Sequence, residues 1–206
     1  MFSNKALKKL ILPLIIEQIL IMAVGVADTV MVSYAGEVAI SGVGLVDMFN
    51  NLIITVLAAI DAGGAIIVSQ YIGNKDRKNA NKASSQLLTI TIVIATVIML
   101  GCLVFHRILL STFFGAIEMD VMKAATTYFL ISAISFPFLG VYNSAAALYR
   151  SMEKTRTTMY VSILMNIINV VGNYIGVFIL HAGVAGVAVP TLISRIVAAI
   201  IMFALS

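Results

Sequence analysis

The 206-residue sequence predicts an all-α integral membrane protein, a bundle of six transmembrane helices in one domain covering residues 1–206. Composition is the first observation: the chain is 61% hydrophobic and only 11% charged, whereas soluble domains are about 45–50% apolar and about 25% charged. Hydropathy is the second, with a mean of +1.08. The third is the length of the apolar runs, several of which reach the roughly 20 residues that a helix needs to cross a bilayer.

Six apolar runs are predicted to span the membrane, at about 10–34, 41–72, 86–105, 125–149, 159–180 and 184–206. Residues 87–105 and 159–180 contain no charged side chain. Inside hydrocarbon the backbone must satisfy its own hydrogen bonds, so these runs are helical. The first run is too long for a secretory signal. The stretches at about 73–85 and 111–124 are predicted to be the main segments outside the spans.

The basic residues predict the orientation. Ten of the 13 lie in the N-terminal tail, after span two or after span four: Lys5, Lys8, Lys9, Lys75, Arg77, Lys78, Lys82, Arg150, Lys154 and Arg156. Because cytoplasmic loops carry the excess of Lys and Arg, we expect a multi-pass protein of the cytoplasmic membrane with a cytoplasmic N-terminus. The sequence pI is about 9.3, but long apolar runs separate the basic residues, so no nucleic-acid partner is expected.

Four polar residues of three spans are predicted to share one layer of the membrane. With about 1.5 Å of rise per residue, Asp28, Asn169, Asn173 and Thr191 lie about 9–16 Å below the outer boundary. Ionisable groups at such depth are costly and indicate function. Asn169 and Asn173 also share a helical face with Asn166, and the alternative is that these amides only join helices by hydrogen bonds.

A second polar stripe follows span two. Asp47, Asn50 and Asp61 recur at helical spacing and share a face. This face either lines a water-filled cavity, together with Asn166 and Arg195, or places both carboxylates near the membrane edges. Arg195 lies close to the midplane of span six and needs a carboxylate or a carbonyl as its partner.

Glu17 and three prolines complete the set of unusual residues in the spans. Glu17 is expected near the inner face, where a structural role is favoured. Pro13, Pro137 and Pro190 each remove a backbone donor and are predicted to bend their helices.

Four stretches of the sequence resemble the multidrug and toxic compound extrusion (MATE) transporters. They follow one another in the family's order along nearly the whole chain: KKLILPLIIEQILIMAVGVADTVMVSYAGEVAISGVGL, GGAIIVSQYIGNKDRKNANKAS, SFPFLGVYNSAAALYRSMEKTR, and NIINVVGNYIGVFI followed by GVAGVAVPTLISR. The family has twelve spans in two six-helix lobes related as parallel repeats. The resemblance covers the N-terminal lobe.

The resemblance implies a secondary active transporter, a cation-coupled drug antiporter for multidrug efflux. Its substrates would be cationic or amphipathic drugs, its coupling ion sodium or a proton, and no cofactor is implied. The family's cation site corresponds to Asp28, Asn169, Asn173 and Thr191, and a kinking proline to Pro13. Some members carry Asp at the position of Asn173, so Asp28 is here the only carboxylate of the set.

Two further departures from the family pattern are noted. Glu153 stands where a Gly is common, and Asp61 is unusual in the second helix.

We expect a partial chain that needs a second six-helix lobe, either a missing C-terminal half or a second copy. The alternatives are a lipid-linked or polysaccharide flippase of the same superfamily and a structural membrane subunit. An enzyme is disfavoured, because Cys102 and His106 have no visible third group.

Labelling with an impermeant thiol reagent tests the orientation. In a background without Cys102, we expect Ala116→Cys to react from outside the cell and Lys78→Cys to react only after permeabilisation. Reaction at position 78 from outside, with none at position 116, would reverse the predicted topology.

Overall fold

The computed structural model describes residues 4–115 and 117–205, with side chains from Ile11 onward. Seven helices account for most of these residues: α1 (Asn4–Tyr34), α2 (Glu37–Gly73), α3 (Arg77–Phe114), α4 (Met119–Ile134), α5 (Phe136–Ser151), α6 (Thr155–Tyr174) and α7 (Ala185–Leu205). A π-helical turn, Ile175–Ile179, continues α6. The side chains of Lys5, Lys8 and Lys9 lie outside the described residues.

Five of these helical segments are long and apolar enough to cross a membrane, and α4 with α5 forms a sixth, broken span. The two halves meet at Ser135 with a bend of 47°. Pro137 lies in the first turn of α5, where its missing N–H leaves no helical hydrogen bond unmade. The predicted bend in span four is therefore present as a break between two helices.

The stretches at 73–85 and 111–124, predicted to lie outside the spans, are largely helical. α3 begins at Arg77 and ends at Phe114, so only residues 74–76 and 115–118 connect it to its neighbours. Asp76 caps α3 by accepting a hydrogen bond from the Asn79 backbone N–H at 3.1 Å, and this bond lowers the pKa of Asp76 below its usual range. Hydropathy marks only the apolar part of a helix, whereas capping extends the helix beyond the membrane.

Close contact between α6 and α7 depends on small residues. A Cβ atom at Gly176 would overlap the carbonyl oxygen of Gly186. One turn earlier, a Cβ at Gly172 would lie 2.5 Å from Cβ of Pro190. Glycine at these positions lets the two backbones approach each other, and it brings Thr191, which follows Pro190, beside α6.

A paired glycine substitution tests this contact. We expect Gly176→Ala to destabilise the protein by about 1–3 kcal/mol, because the new methyl group would press on the backbone of α7. Gly101→Ala is the control, since a Cβ there meets nothing within 4 Å. The measurement is thermal unfolding in detergent micelles. Equal unfolding midpoints for the two variants would contradict the close α6–α7 contact.

Candidate functional site

Asp28, Asn169, Asn173 and Thr191 form one hydrogen-bonded cluster between α1, α6 and α7. Asn173 Nδ2 donates to Asp28 Oδ1 at 2.8 Å and to Asn169 Oδ1 at 3.2 Å. Asn169 Nδ2 donates to Thr191 Oγ1 at 2.9 Å. Asn173 is fully buried and Asp28 half-buried. The four residues that the depth estimate placed in one layer are therefore linked by one chain of hydrogen bonds.

Exchanging the nitrogen and oxygen of the Asn169 amide satisfies the cluster better than the orientation with these contacts. When its nitrogen and oxygen are exchanged, the nitrogen donates to Asp28 Oδ1 at 3.0 Å and to Oδ2 at 3.2 Å, while the oxygen accepts from Thr191 at 2.9 Å. One orientation thus presents an amide donor to the carboxylate. The other sets the amide oxygen against the Asp28 carboxylate oxygens, which are acceptors too.

Asn173 contributes an oxygen that has no partner. Its Oδ1 is buried and makes no hydrogen bond to any described residue. A buried polar atom without a partner is uncommon and calls for an explanation. Beside a carboxylate and a second amide, the group that would satisfy this oxygen is a donor or a cation.

A cavity of about 480 Å³ opens beside this cluster, and Asp28, Asn169 and Thr191 line it. Four of the five residues proposed from sequence as cavity lining also line it, namely Asp47, Asn50, Asn166 and Arg195. Asp61 does not. It lies 3% exposed among α2, α3 and α5, where the Thr91 and Ser144 hydroxyls donate to it.

Asp47 accepts two hydrogen bonds, and the sequence indicates only one of them. The Tyr128 hydroxyl of α4 donates to Asp47 Oδ1 at 3.1 Å, and Asn50 Nδ2 donates to the same oxygen at 3.5 Å. The Asn50 contact follows from i,i+3 spacing on one helix. Tyr128 is 81 residues away in sequence, so only the packing of α2 against α4 reveals it.

Arg195 is anchored at the break between α4 and α5. Its Nη1 donates to the Ser135 hydroxyl at 2.6 Å, and the Asp47 carboxylate attracts it electrostatically. The hydroxyl acceptor differs from the expected carboxylate or carbonyl partner. Because α7 brings this guanidinium to the bent span, the cavity contains a fixed positive charge as well as carboxylates.

Glu17 is paired with Arg150, which the sequence did not predict. Arg150 Nη2 donates to Glu17 Oε1 at 2.7 Å, and Thr158 Oγ1 lies 3.5 Å from Glu17 Oε2. The pair ties α1 to α5 and α6. Glu17 lies four residues after Pro13, which is buried within the continuous α1 helix. The sequence places an acid in span one and a basic residue after span four, but only the tertiary structure shows that these two side chains pair.

The helical bundle, its membrane-buried polar cluster and the adjoining cavity define a multi-pass membrane protein with a polar internal cavity as the class of protein. The MatE family model matches residues 13–175. The chain therefore belongs to the MatE family.

The relatives agree with this assignment. The chain is 30% identical to the uncharacterized transporter YisQ of Bacillus subtilis (strain 168), over 98% of this chain and 47% of that protein. It is also 30% identical to the probable multidrug resistance protein NorM of Thermotoga maritima, over 95% of this chain and 43% of that protein. The chain thus spans about half the length of the curated relatives it matches.

Solved structures share the fold. A MOP superfamily transporter from Pyrococcus furiosus matches with a TM-score of 0.90 at 23% identity, over 96% of this chain and 43% of that chain. An outward-facing multidrug resistance MATE family transporter matches with the same TM-score, over 96% of this chain and 44% of that chain. The six-span bundle thus corresponds to one half of these structures.

The Glu17–Arg150 pair is tested by a double-mutant cycle. We expect Arg150→Gln to destabilise the protein by about 1–2 kcal/mol, because it leaves a buried carboxylate without its cation. This is less than the roughly 3–5 kcal/mol for a fully buried pair, since the Arg150 side chain is 42% exposed. The double variant Glu17→Gln/Arg150→Gln should recover most of the loss. The loss and its recovery are both measured as shifts of the thermal unfolding midpoint in detergent micelles.

Lys123→Gln is the control for this cycle. It breaks the Asp120–Lys123 pair, whose side chains are 75% and 70% exposed, and such pairs contribute about 0–1 kcal/mol. If Arg150→Gln costs no more than Lys123→Gln, the Glu17–Arg150 pair does not stabilise the position of α1.

Proposed function

We propose that this chain is one lobe of a cation-coupled antiporter that exports cationic or amphipathic drugs. The observation that carries the proposal is the cluster around Asp28, where one carboxylate meets two amides and a hydroxyl at the wall of a cavity. The carboxylate offsets the charge of a sodium ion, and the amide and hydroxyl oxygens replace part of its hydration shell.

Sodium and protons compete for this site. Sodium binds the ionised form of Asp28, whereas a proton neutralises the carboxylate and removes the charge that attracts the ion. Rotation of the Asn169 and Asn173 amides would turn their oxygens toward the ion. The hydrogen bond between Asn173 and Asp28 would then be exchanged for ion contacts, and the link between α1 and α6 would change. Such a ligand shifts a conformational equilibrium only through unequal affinity for the two states.

The cavity beside Asp28 would accept the drug. Asp28 and Asp47 provide negative charge, and apolar side chains such as Ile21, Val24 and Met165 provide contact area. Alternating access would require a second six-helix lobe that moves against this one. The lobe would lie in the cytoplasmic membrane with its N-terminus in the cytoplasm, as the basic segments predict.

The other candidate functions have weaker support. A flippase for anionic lipid-linked sugars would favour a basic cavity, whereas here two arginines, Arg150 and Arg195, accompany three carboxylates in the lining. An enzyme is also unsupported. Cys102 is buried in the core, and His106 Nδ1 lies 2.8 Å from the Leu103 carbonyl oxygen. A purely structural subunit would have no need for Asp28 at the cavity wall.

Sodium-dependent stabilisation tests the role of Asp28. Unfolding midpoints of the purified chain are compared in sodium chloride and in choline chloride of equal concentration. A ligand at 100 times its Kd stabilises by about 2.7 kcal/mol, so we expect a clear sodium effect at pH 8. The effect should shrink at pH 6 because protons compete, and it should vanish in Asp28→Asn at both pH values. Asn173→Asp adds a second carboxylate and should strengthen sodium binding relative to proton binding.

Asp47→Asn is the matched control. It makes the same substitution in the same cavity but outside the four-residue cluster, so it should retain the sodium effect. If Asp28→Asn responds to sodium and pH like the unmodified chain, Asp28 is structural and the proposed coupling is wrong.

A further inference from the structure

Asp61 lies at a second buried polar site, apart from the cavity. The Thr91 hydroxyl of α3 donates to Asp61 Oδ1 at 3.0 Å, and the Ser144 hydroxyl of α5 donates to the same oxygen at 2.6 Å. Asp61 is 3% exposed, while Thr91 and Ser144 are completely buried. None of the three side chains lines the cavity beside Asp28.

The second carboxylate oxygen of Asp61 has no partner. Oδ2 is buried and makes no hydrogen bond to any described residue, although an ionised carboxylate offers about four acceptor positions. A buried apolar cluster, Val68, Leu87 and Leu148, lies one to two turns away on the same three helices.

No positive charge compensates Asp61 within the described part of the chain. Its interactions there are with the Thr91 and Ser144 hydroxyls. The titratable groups of α5 lie or bond elsewhere: Tyr142 lines the cavity, Tyr149 donates to the Leu205 carbonyl, and Arg150 donates to Glu17. On α3, His106 lies beside the Leu103 carbonyl. Among the described residues of that helix, no charged side chain pairs with Asp61, neither Arg77, Lys78, Lys82 nor Arg107.

An ionised carboxylate in this position would be expensive. A buried charge without a counter-charge costs several kcal/mol, and two hydroxyl donors on one oxygen do not offset that. The group must therefore bind something that neutralises it, and the two candidates are a monovalent cation and a proton.

The packing favours the proton. A Cβ at Gly64, one turn from Asp61, would overlap the Leu87 side chain, and a Cβ at Gly140 would lie 3.2 Å from Thr91 Cγ2. These contacts leave α2, α3 and α5 too close together to admit an ion with its own shell of oxygens. A proton requires no additional room.

We propose that Asp61 is a second proton-binding site of this lobe, independent of Asp28, and that its carboxylic acid joins α2 to α3 and α5. A carboxylic acid both donates and accepts. The proton would reside on Oδ2, which has no donor, while Oδ1 continues to accept from the Thr91 and Ser144 hydroxyls. Loss of the proton would leave a negative charge among three helices and loosen their contact.

Infrared spectroscopy of the reconstituted chain tests this proposal. A protonated carboxyl group absorbs above the amide I band, and its C=O stretch moves to lower frequency in D₂O. We expect such a band at neutral pH in the unmodified chain and in Asp28→Asn, with the Asp61 component missing in Asp61→Asn. In Ser144→Ala the Asp61 band should move to higher frequency, because the carboxylic acid loses a hydrogen-bond partner.

Two results would overturn the proposal. One is identical carboxylic-acid absorption at neutral pH in the unmodified chain and in Asp61→Asn, which would mean that Asp61 is ionised. The other is removal of the Asp61 band by sodium but not by choline, which would make the site a cation site. If Asp61→Asn does not fold, the Ser144→Ala variant tests the proposal instead. A carboxylic-acid band at the same frequency in Ser144→Ala and in the unmodified chain would contradict it. The sodium response at Asp28 is measured separately, so the two proposals can fail independently.

Discussion

Hydrocarbon offers no hydrogen-bond partner, so polar side chains inside the bundle bond mainly to their own helix or to a neighbouring one. This constraint accounts for the main cross-links of the lobe. Asp28 joins α1 to α6 through Asn173, and Asn169 joins α6 to α7 through Thr191. Arg195 joins α7 to the junction of α4 and α5. The polar residues therefore specify which helix faces meet, a choice that uniformly apolar surfaces leave open.

The position of α1 depends on two such links at different depths. Asp28 bonds to α6 in the outer part of the predicted span, and Glu17 pairs with Arg150 nearer the inner end. Many of the remaining side chains of α1 are exposed apolar groups. A helix held by a few polar contacts can move when one of them changes. An ion or a proton at Asp28 would act on one of these contacts directly.

Much of this architecture is predictable from sequence, because run length and the depth of polar residues are local properties. The spans and the common layer of Asp28, Asn169, Asn173 and Thr191 follow from counting residues along helices. The partners of Asp61 and Arg195 do not, because they depend on how each helix is rotated and packed. The extended ends of α3 were missed for another reason, since hydropathy responds to lipid contact and α3 continues beyond its apolar run. That the four-residue cluster binds a cation stays a prediction.

Direct binding of radioactive sodium to the purified chain tests the central claim most simply. We predict saturable binding that approaches one sodium ion per chain at alkaline pH, weakens as the pH falls, and is lost in Asp28→Asn. Sodium binding of equal stoichiometry and affinity in Asp28→Asn would show that the ion does not bind at this carboxylate, and it would contradict the proposed coupling between the ion and the α1–α6 contact.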